Sequence, residues 1–132
     1  MTYLGQDFKK LGFGLMRLPM IGDEVDIEQT KQMVDLFLSK GFTYFDTAWM
    51  YCGHASEDAT KKVLVERHPR DSYTLATKLH AAYLKCEDDR DRIFNEQLRK
   101  CGVDYFDYYL VHNLGLKLYN CTLRLICPRY NM

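Results

Sequence analysis

The sequence has no surplus of charge of either sign, since 18 lysine and arginine residues balance 18 aspartate and glutamate residues. A neutral chain lacks the basic field that attracts phosphate backbones and anionic lipids, so neither nucleic acid nor a membrane surface is expected as a partner. No apolar run is long enough to span a bilayer, and residues 1–7 lack the basic start and apolar stretch of a signal peptide. These absences predict a cytoplasmic location.

Cysteine is too irregularly spaced to organise the fold. The five cysteines are odd in number and contain no CxxC pair, which argues against a disulfide framework and against a zinc ribbon. Cys52 and His54 share one predicted loop, but two candidate ligands do not make a metal site. We therefore expect free thiols, as is usual in the cytoplasm, and no bound metal.

Three helices are predicted from capping residues and from apolar residues at helical spacing. The clearest begins after Asp26, an N-cap residue with Gln29 placed to complete a capping box, and ends at Gly41. The second is predicted to be capped by Ser56 and to end at His68-Pro69, with a buried stripe formed by Ala59, Val63 and Leu64. The third is predicted over residues 88–101, and Gly102 closes it.

Apolar runs between these helices predict the strands of a parallel sheet. The runs cover residues 12–19, 42–45, 73–77 and 106–111, and residues 4–13 are expected to form a hairpin before them. Strands that alternate with helices favour a parallel sheet covered by helices. A doubly wound sheet would carry a GxGxxG loop in its first turn, and the sequence has none.

The alternative to a doubly wound sheet is a (β/α)8 barrel, in which catalytic residues come from the ends of several strands. A complete barrel needs about 250 residues, whereas this sequence has 132. The predicted fold class is therefore α/β, a partial (β/α)8 TIM barrel of about four strand-helix units with an amino-terminal β-hairpin.

Three predicted strands run into a charged or titratable residue. These residues are Asp46, Lys78 and His112, separated by 32 and 34 residues, and Tyr51 follows Asp46 in the next loop. Each spacing is close to the length of one strand-helix unit, so the four side chains are expected to meet at one face of the sheet. Taken singly, each residue is better explained by a structural role: Asp46 as a helix-capping or turn acid, Lys78 as a solvated strand end and His112 as a satisfied core histidine.

Together, these four residues are suited to moving a proton. A phenol is a poor proton donor near neutral pH, but the ammonium of Lys78 would favour the phenolate, and Asp46 would hold the ammonium in place. Tyr51 could then act as a general acid toward a carbonyl oxygen, or as a base toward an alcohol, with His112 orienting that oxygen. An acid without a nucleophile or a metal suits hydride transfer from a soluble cofactor.

The same residues lie in stretches that resemble the amino-terminal half of the aldo-keto reductase family, over about residues 3 to 115. The stretches are Gly12-Phe13-Gly14-Leu15-Met16-Arg17-Leu18-Pro19, then Asp46-Thr47-Ala48 with Tyr51, Gly53 and Ser56-Glu57, then Ala76-Thr77-Lys78, and Val111-His112-Asn113. The resemblance implies a reductase that uses NADP or NAD to convert aldehydes or ketones, its small-molecule carbonyl substrates, to alcohols.

The resemblance also implies roles for individual residues. Catalysis falls to Asp46, Tyr51, Lys78 and His112, with Tyr51 as the proton donor; the cofactor would contact Gly14, Met16, Asp46 and Asn113; and Trp49 lies in a loop that usually lines the substrate pocket. A packing role for Trp49 is an equally good expectation.

The resemblance is expected to end near residue 115. No acidic residue follows Asp107, although a helix on the outside of a barrel normally carries acids. We therefore divide the chain into residues 1–115, the reductase half-barrel, and residues 116–132, a divergent tail hypothesised to be out of frame. On this hypothesis cofactor binding is weakened or lost, and the alternative function is a catalytically incompetent half-barrel that self-associates through exposed strand edges.

Overall fold

A computed structural model describes residues 9–86 and 88–113 of the chain. Its helices and strands are β1 (Gly12–Gly14), β2 (Met20–Ile21), β3 (Glu24–Val25), α1 (Ile27–Ser39), β4 (Tyr44–Asp46), α2 (Ser56–Thr60), β5 (Thr74–His80), α3 (Asp88–Cys101) and β6 (Tyr108–His112). A π-helical turn, Lys61–Val65, extends α2, and short 3-10 turns cover Arg70–Ser72 and Ala81–Tyr83. Within the described residues, no helix is both long enough and apolar enough to cross a membrane.

The sheet has four parallel strands in the order β1, β4, β5 and β6. Each strand pairs with the next main strand along the chain, and a helix lies between each pair in the sequence. The described sheet therefore contains no reversal of strand order of the kind that places ligands in a doubly wound fold. The predicted alternation of strands and helices in a parallel sheet is confirmed, and the strand order is that of a barrel.

Helix α1 begins where the capping residues predicted. Asp26 is its N-cap, and the Asp26 carboxylate accepts a hydrogen bond of 2.9 Å from the backbone N–H of Gln29. Gly41 follows the helix with φ +76°, a left-handed conformation that glycine adopts without steric cost. Helix α3 likewise spans the predicted residues 88–101 and is followed by Gly102 at φ +69°.

The prediction that Ser56 caps the second helix is wrong. Ala55 occupies the N-cap position without a side-chain hydrogen bond, and Ser56 is the first helical residue. The Ser56 hydroxyl donates instead to the backbone oxygen of Leu15 at 2.8 Å and lies 2.8 Å from the Thr47 hydroxyl. Because Ser56 is fully buried, tertiary partners satisfy its hydroxyl in place of the helix end. The predicted stripe of Ala59, Val63 and Leu64 is buried.

The amino-terminal strands differ from the prediction. The strand expected over residues 12–19 ends at Gly14, because the chain then turns so that Leu15 and Leu18 enter the core. Residues 9–11, expected to belong to the second strand of a hairpin, form no strand, while residues 4–8 lie outside the described residues. The short antiparallel pair β2 and β3 was not predicted.

The main core lies between the sheet and the helices. Its buried members are Leu15, Leu18, Val34, Phe45, Ala59, Val63, Leu64, Tyr73, Leu75, Cys101 and Val103. Phe45 of β4 and Leu75 of β5 point from the sheet into this core, so alternation along each strand places Asp46 and Lys78 on the opposite face. The core therefore determines which side chains the inner face of the sheet presents.

Candidate active site

An ion pair joins the two central strands on this inner face. The Lys78 ammonium contacts the carboxylate of Asp46 and donates a 2.7 Å hydrogen bond to the backbone oxygen of Thr47. Lys78 is not the residue after its strand, as expected, but lies inside β5, which continues to His80. Since Lys78 is only 9% exposed, its charge needs these partners to offset the loss of hydration.

Tyr51 lies directly beside this ammonium. The Lys78 Nζ atom is 4.8 Å from the centre of the Tyr51 ring, a distance at which a cation is attracted to an aromatic face. The loop that carries Tyr51 turns sharply, with φ values of +51° at Cys52 and +73° at His54. A 3.3 Å contact from the Cys52 thiol to the Met16 backbone oxygen ties this loop to the segment after β1.

His112, at the end of β6, completes the group. Its ring meets the Tyr51 ring edge to face, with 5.9 Å between the ring centres and 86° between the planes. Burial lowers the pKa of His112, and the neighbouring His80 and Lys78 side chains lower it further, against an opposing effect of Asp46. Its Nδ1 atom is buried without a hydrogen-bond partner among the described residues. The imidazole is therefore favoured in its neutral form, with one nitrogen available to a ligand.

The described residues enclose a pocket of about 340 Å³ on this face. It is lined by Met16, Met50, Tyr51, Cys52, His80, His112 and Asn113. The structure thus brings the four predicted catalytic residues into one contact group and places the predicted cofactor residues Met16 and Asn113 beside it. Gly14 pairs with Asp46 across the sheet, but it lines a separate cavity of about 280 Å³.

Trp49 lies away from this pocket lining. It packs against the small apolar cluster formed by Leu79, Leu84 and Ile93, and its ring centre is 4.8 Å from that of Tyr83. This is the packing position that the sequence analysis kept as the alternative, and a substrate contact for Trp49 stays a prediction. The indole N–H of Trp49 is buried without a partner among the described residues.

A buried polar network behind Lys78 was not predicted. The carboxylate of Glu57 accepts hydrogen bonds of 2.9 Å from Thr77 and from the Gln97 amide, and that amide also donates to the Lys78 backbone oxygen at 3.1 Å. Tyr109 donates to the Gln97 oxygen at 2.7 Å. Burial raises the pKa values of Glu57 and Tyr109 above their ordinary values. The network joins α2, β5, α3 and β6 around the strand that carries the lysine.

One sequence signal could have located part of this network. Gln97 is four residues from Ile93 and four from Cys101, so helical spacing places it on the buried face of α3. Glu57 gave a misleading signal, because an acid in the first turn of a helix is equally well explained by the helix dipole. Both side chains are fully buried.

A parallel sheet that gathers an acid, an ammonium, a phenol and an imidazole on one face is the arrangement of a (β/α)8 catalytic face. The sequence model of the Aldo/keto reductase family matches residues 10–126 of this chain. The chain belongs to the aldo/keto reductase family. The match includes part of the segment that the sequence analysis set apart as a tail, and the out-of-frame origin of residues 116–132 stays a prediction.

Sequence relatives carry names from the same family. The chain is 31% identical over 119 residues to "Probable aldo-keto reductase 1" of Glycine max, which covers 83% of this chain and 34% of that protein. It is 32% identical over 114 residues to a "Probable NAD(P)H-dependent D-xylose reductase" of Aspergillus flavus, which covers 82% of this chain and 32% of that protein. The chain therefore spans about a third of the length of these curated relatives.

Solved structures confirm the fold class. A thermostable aldo-keto reductase in complex with the inhibitor epalrestat superposes with a TM-score of 0.69 at 25% identity, over 95% of this chain and 46% of that chain. An aldo-keto reductase of Klebsiella pneumoniae in complex with NADPH superposes with a TM-score of 0.65 at 24% identity, over 76% of this chain and 34% of that chain. The described strands and helices thus form part of a (β/α)8 barrel.

Proposed function

We propose that this chain supplies the catalytic face of an NAD(P)H-dependent oxidoreductase that reduces aldehydes or ketones to alcohols, with Tyr51 as the proton donor. The observation that supports this proposal most strongly is the Lys78 ammonium, held by Asp46 and 4.8 Å from the centre of the Tyr51 ring. A positive charge at this position stabilises the phenolate that remains after the proton has left.

Reduction of a carbonyl group adds a hydride to carbon and a proton to oxygen, and each part has a source in this proposal. Bound NAD(P)H supplies the hydride. Tyr51 gives its phenolic proton to the carbonyl oxygen, and the ammonium of Lys78 stabilises the resulting charge on the phenol. His112, neutral because burial lowers its pKa, orients the carbonyl oxygen by hydrogen bonding.

The residues around the pocket fit the nicotinamide end of such a cofactor. The side chain of Met16 is 52% exposed, and Asn113 presents an amide at the same pocket. The buried Nδ1 of His112 without a partner among the described residues adds one polar atom that a ligand can satisfy. We assign Met16, Asp46 and Asn113 to this end of the cofactor. Gly14 belongs to the same proposal through its pairing with Asp46.

Two of the comparisons name a cofactor of the proposed kind. The Klebsiella pneumoniae structure contains NADPH, and the Aspergillus flavus relative is named as NAD(P)H-dependent. The proposal therefore includes either nicotinamide cofactor, together with a small carbonyl substrate and the cytoplasmic location that the sequence predicts.

The test is to titrate the purified protein with NADPH and then to follow NADPH oxidation after a carbonyl compound is added. The decisive variant is Tyr51→Phe, which removes the proton donor and keeps the ring over Lys78. Since general acid catalysis contributes about 100-fold or more, we expect a rate loss of at least that size with NADPH affinity within about threefold. Tyr105→Phe, at a residue that is 50% exposed, is the matched control and should keep the native rate.

A Tyr51→Phe variant as fast as the native protein would remove Tyr51 from the mechanism. If NADPH fluorescence shows no saturable binding, the reductase function itself is rejected for this chain, and the second candidate is favoured.

The second candidate is a half-barrel without catalysis that works through self-association. Within the described residues, β6 pairs on one side only, with β5, and its residues Leu110 and Val111 are 40% and 45% exposed. An open strand with exposed apolar side chains favours pairing with another chain. This candidate requires no cofactor, so NADPH titration distinguishes it from the first.

A further inference from the structure

His80 places a second imidazole in the pocket beside His112. It is the last residue of β5 and lies two positions after Lys78, so strand alternation directs both side chains to the inner face. His80 is in register with His112 on the neighbouring strand, and their ring centres are 5.0 Å apart at an angle of 72°. The function proposed above assigns no role to this ring.

The hydrogen bonds of His80 determine where its proton lies. The backbone N–H of Ala82 donates to the Nδ1 atom of His80 at 3.2 Å, so Nδ1 is an acceptor and carries no proton. A neutral imidazole has one N–H group, which must then be on Nε2. The pocket therefore contains a hydrogen-bond donor whose direction is fixed by the turn after β5.

The Asn113 amide, which lies beside His80 Nε2, is a poor acceptor for the His80 N–H. The Nδ2 atom of Asn113 lies 3.4 Å from Nε2, but two N–H groups cannot bond each other. Asn113 can accept the proton only when its amide oxygen takes the place of the nitrogen, and this separation is longer than a usual hydrogen bond. The His80 N–H is thus available to an acceptor that enters the pocket.

We infer that His80 is a specificity-determining residue, which donates from Nε2 to a second oxygen of the substrate while Tyr51 and His112 bind the carbonyl oxygen. Hydrogen bonds are about 2.8 Å long, so donors on rings 5.0 Å apart can reach two oxygens on neighbouring carbon atoms. The preferred substrates are carbonyl compounds with a hydroxyl group on the carbon next to the carbonyl. This inference rests on the proposed reductase function and deepens it.

The experiment compares glyceraldehyde with propanal, which has the same three-carbon chain without the hydroxyl groups. His80→Phe removes the donor and keeps an aromatic ring against His112, whereas His80→Gln keeps an N–H donor. We expect the ratio of kcat/KM for glyceraldehyde to that for propanal to fall about tenfold in His80→Phe, the effect of one lost hydrogen bond. His80→Gln should keep that ratio within about threefold. Each aldehyde is hydrated in solution to an extent that does not depend on the protein variant, so hydration cancels when the ratios of the variants are compared.

The possible failures are distinguishable. A native protein that oxidises NADPH with neither aldehyde overturns the reductase function and this substrate class with it. A native protein that reduces both, with a ratio unchanged in His80→Phe or with equal losses for both aldehydes, overturns the inference alone.

A second measurement depends neither on catalysis nor on the folding of a variant. Long-range proton–nitrogen correlation NMR of the native protein should show the His80 proton on Nε2, and the Nε2 signal should shift when glyceraldehyde is added but not when propanal is added. A proton on Nδ1 would overturn the assignment of the donor.

Discussion

At the scale of single residues, His112 has a protonation state that folding itself sets. Burial lowers its pKa below the ordinary value of 6.5, and the neighbouring His80 and Lys78 act in the same direction. Tyr51 and Asp46 face the same ring, and only Asp46 opposes the shift. Keeping this imidazole neutral suits a group that orients an oxygen rather than one that protonates it.

The lowered pKa of His112 predicts how stability changes with pH. Between the folded and unfolded pKa values the unfolded chain binds more protons, so the free energy of unfolding rises with pH up to about 6.5 and its His112 contribution is constant above that. Acidification through this window should lower the free energy of unfolding of the native protein more than that of the His112→Asn variant. The difference should be less than about 1 kcal/mol, because the His112 side chain is partly exposed.

The measurement is urea unfolding of both proteins at a series of pH values, with an NMR titration of the His112 ring in the native protein. Above pH 7 the two stability curves should run parallel, which serves as the internal control. A His112 ring that titrates at or above 6.5 would show that burial does not act as described.

At the scale of helices and strands, the inner face depends on contacts from behind the sheet. Gln97 of α3 bonds the carboxylate of Glu57, the hydroxyls of Thr77 and Tyr109, and the backbone of Lys78. One side chain therefore connects two helices to two neighbouring strands. Its partners Glu57, Thr77 and Lys78 are buried, so the loss of the Gln97 amide would leave buried polar groups with neither water nor a substitute partner.

Gln97→Leu tests this connection. The leucine has a similar volume but bonds none of these groups, so we expect a loss of about 2–3 kcal/mol in the free energy of unfolding. Asn95→Leu, at an exposed position of the same helix, is the control and should change stability by less than about 0.5 kcal/mol. Urea unfolding measures both, and equal stabilities for the two variants would show that the network does not hold α3 to the sheet.

At the scale of the whole molecule, the described sheet is covered on one side and open on the other. The helices bury Phe45 and Leu75, whereas the inner face carries the ion pair and the pocket. Tyr108 and Leu110 of β6 alternate onto that inner face, and Leu110 is 40% exposed. The two sequence relatives from Glycine max and Aspergillus flavus are each about three times as long as the part that this chain matches.

The exposed strand predicts self-association that depends on concentration. Leu110→Lys should weaken it, because a charge on an open strand opposes pairing between chains. The control is Leu36→Lys, which makes the same substitution at an exposed residue of α1, away from the sheet. It should leave association unchanged. Sedimentation equilibrium over a wide range of concentrations decides the matter, and a native protein that stays monomeric throughout would refute the prediction.

The sequence by itself determined the succession of the four parallel strands and the three helices between them, and the positions of the four candidate catalytic residues. Helix α1 follows from Asp26 and the apolar spacing after it, since both signals act within a few residues of the chain. The convergence of Asp46, Lys78 and His112 was predictable because parallel strands repeat at the length of one strand-helix unit. The motifs around these residues also predicted the family, which the family match confirms.

Only the tertiary structure decided what lies around those residues. The burial of Ser56 and Glu57, the Gln97 network and the orientation of His80 depend on partners about 20 to 41 residues away along the chain or on the geometry of a turn. No local pattern encodes such contacts, because the same polar side chain can cap a helix, face water or enter a core. Their physical cause is the free-energy cost of burying a polar group without a partner, and that cost acts only once the sheet and helices have packed.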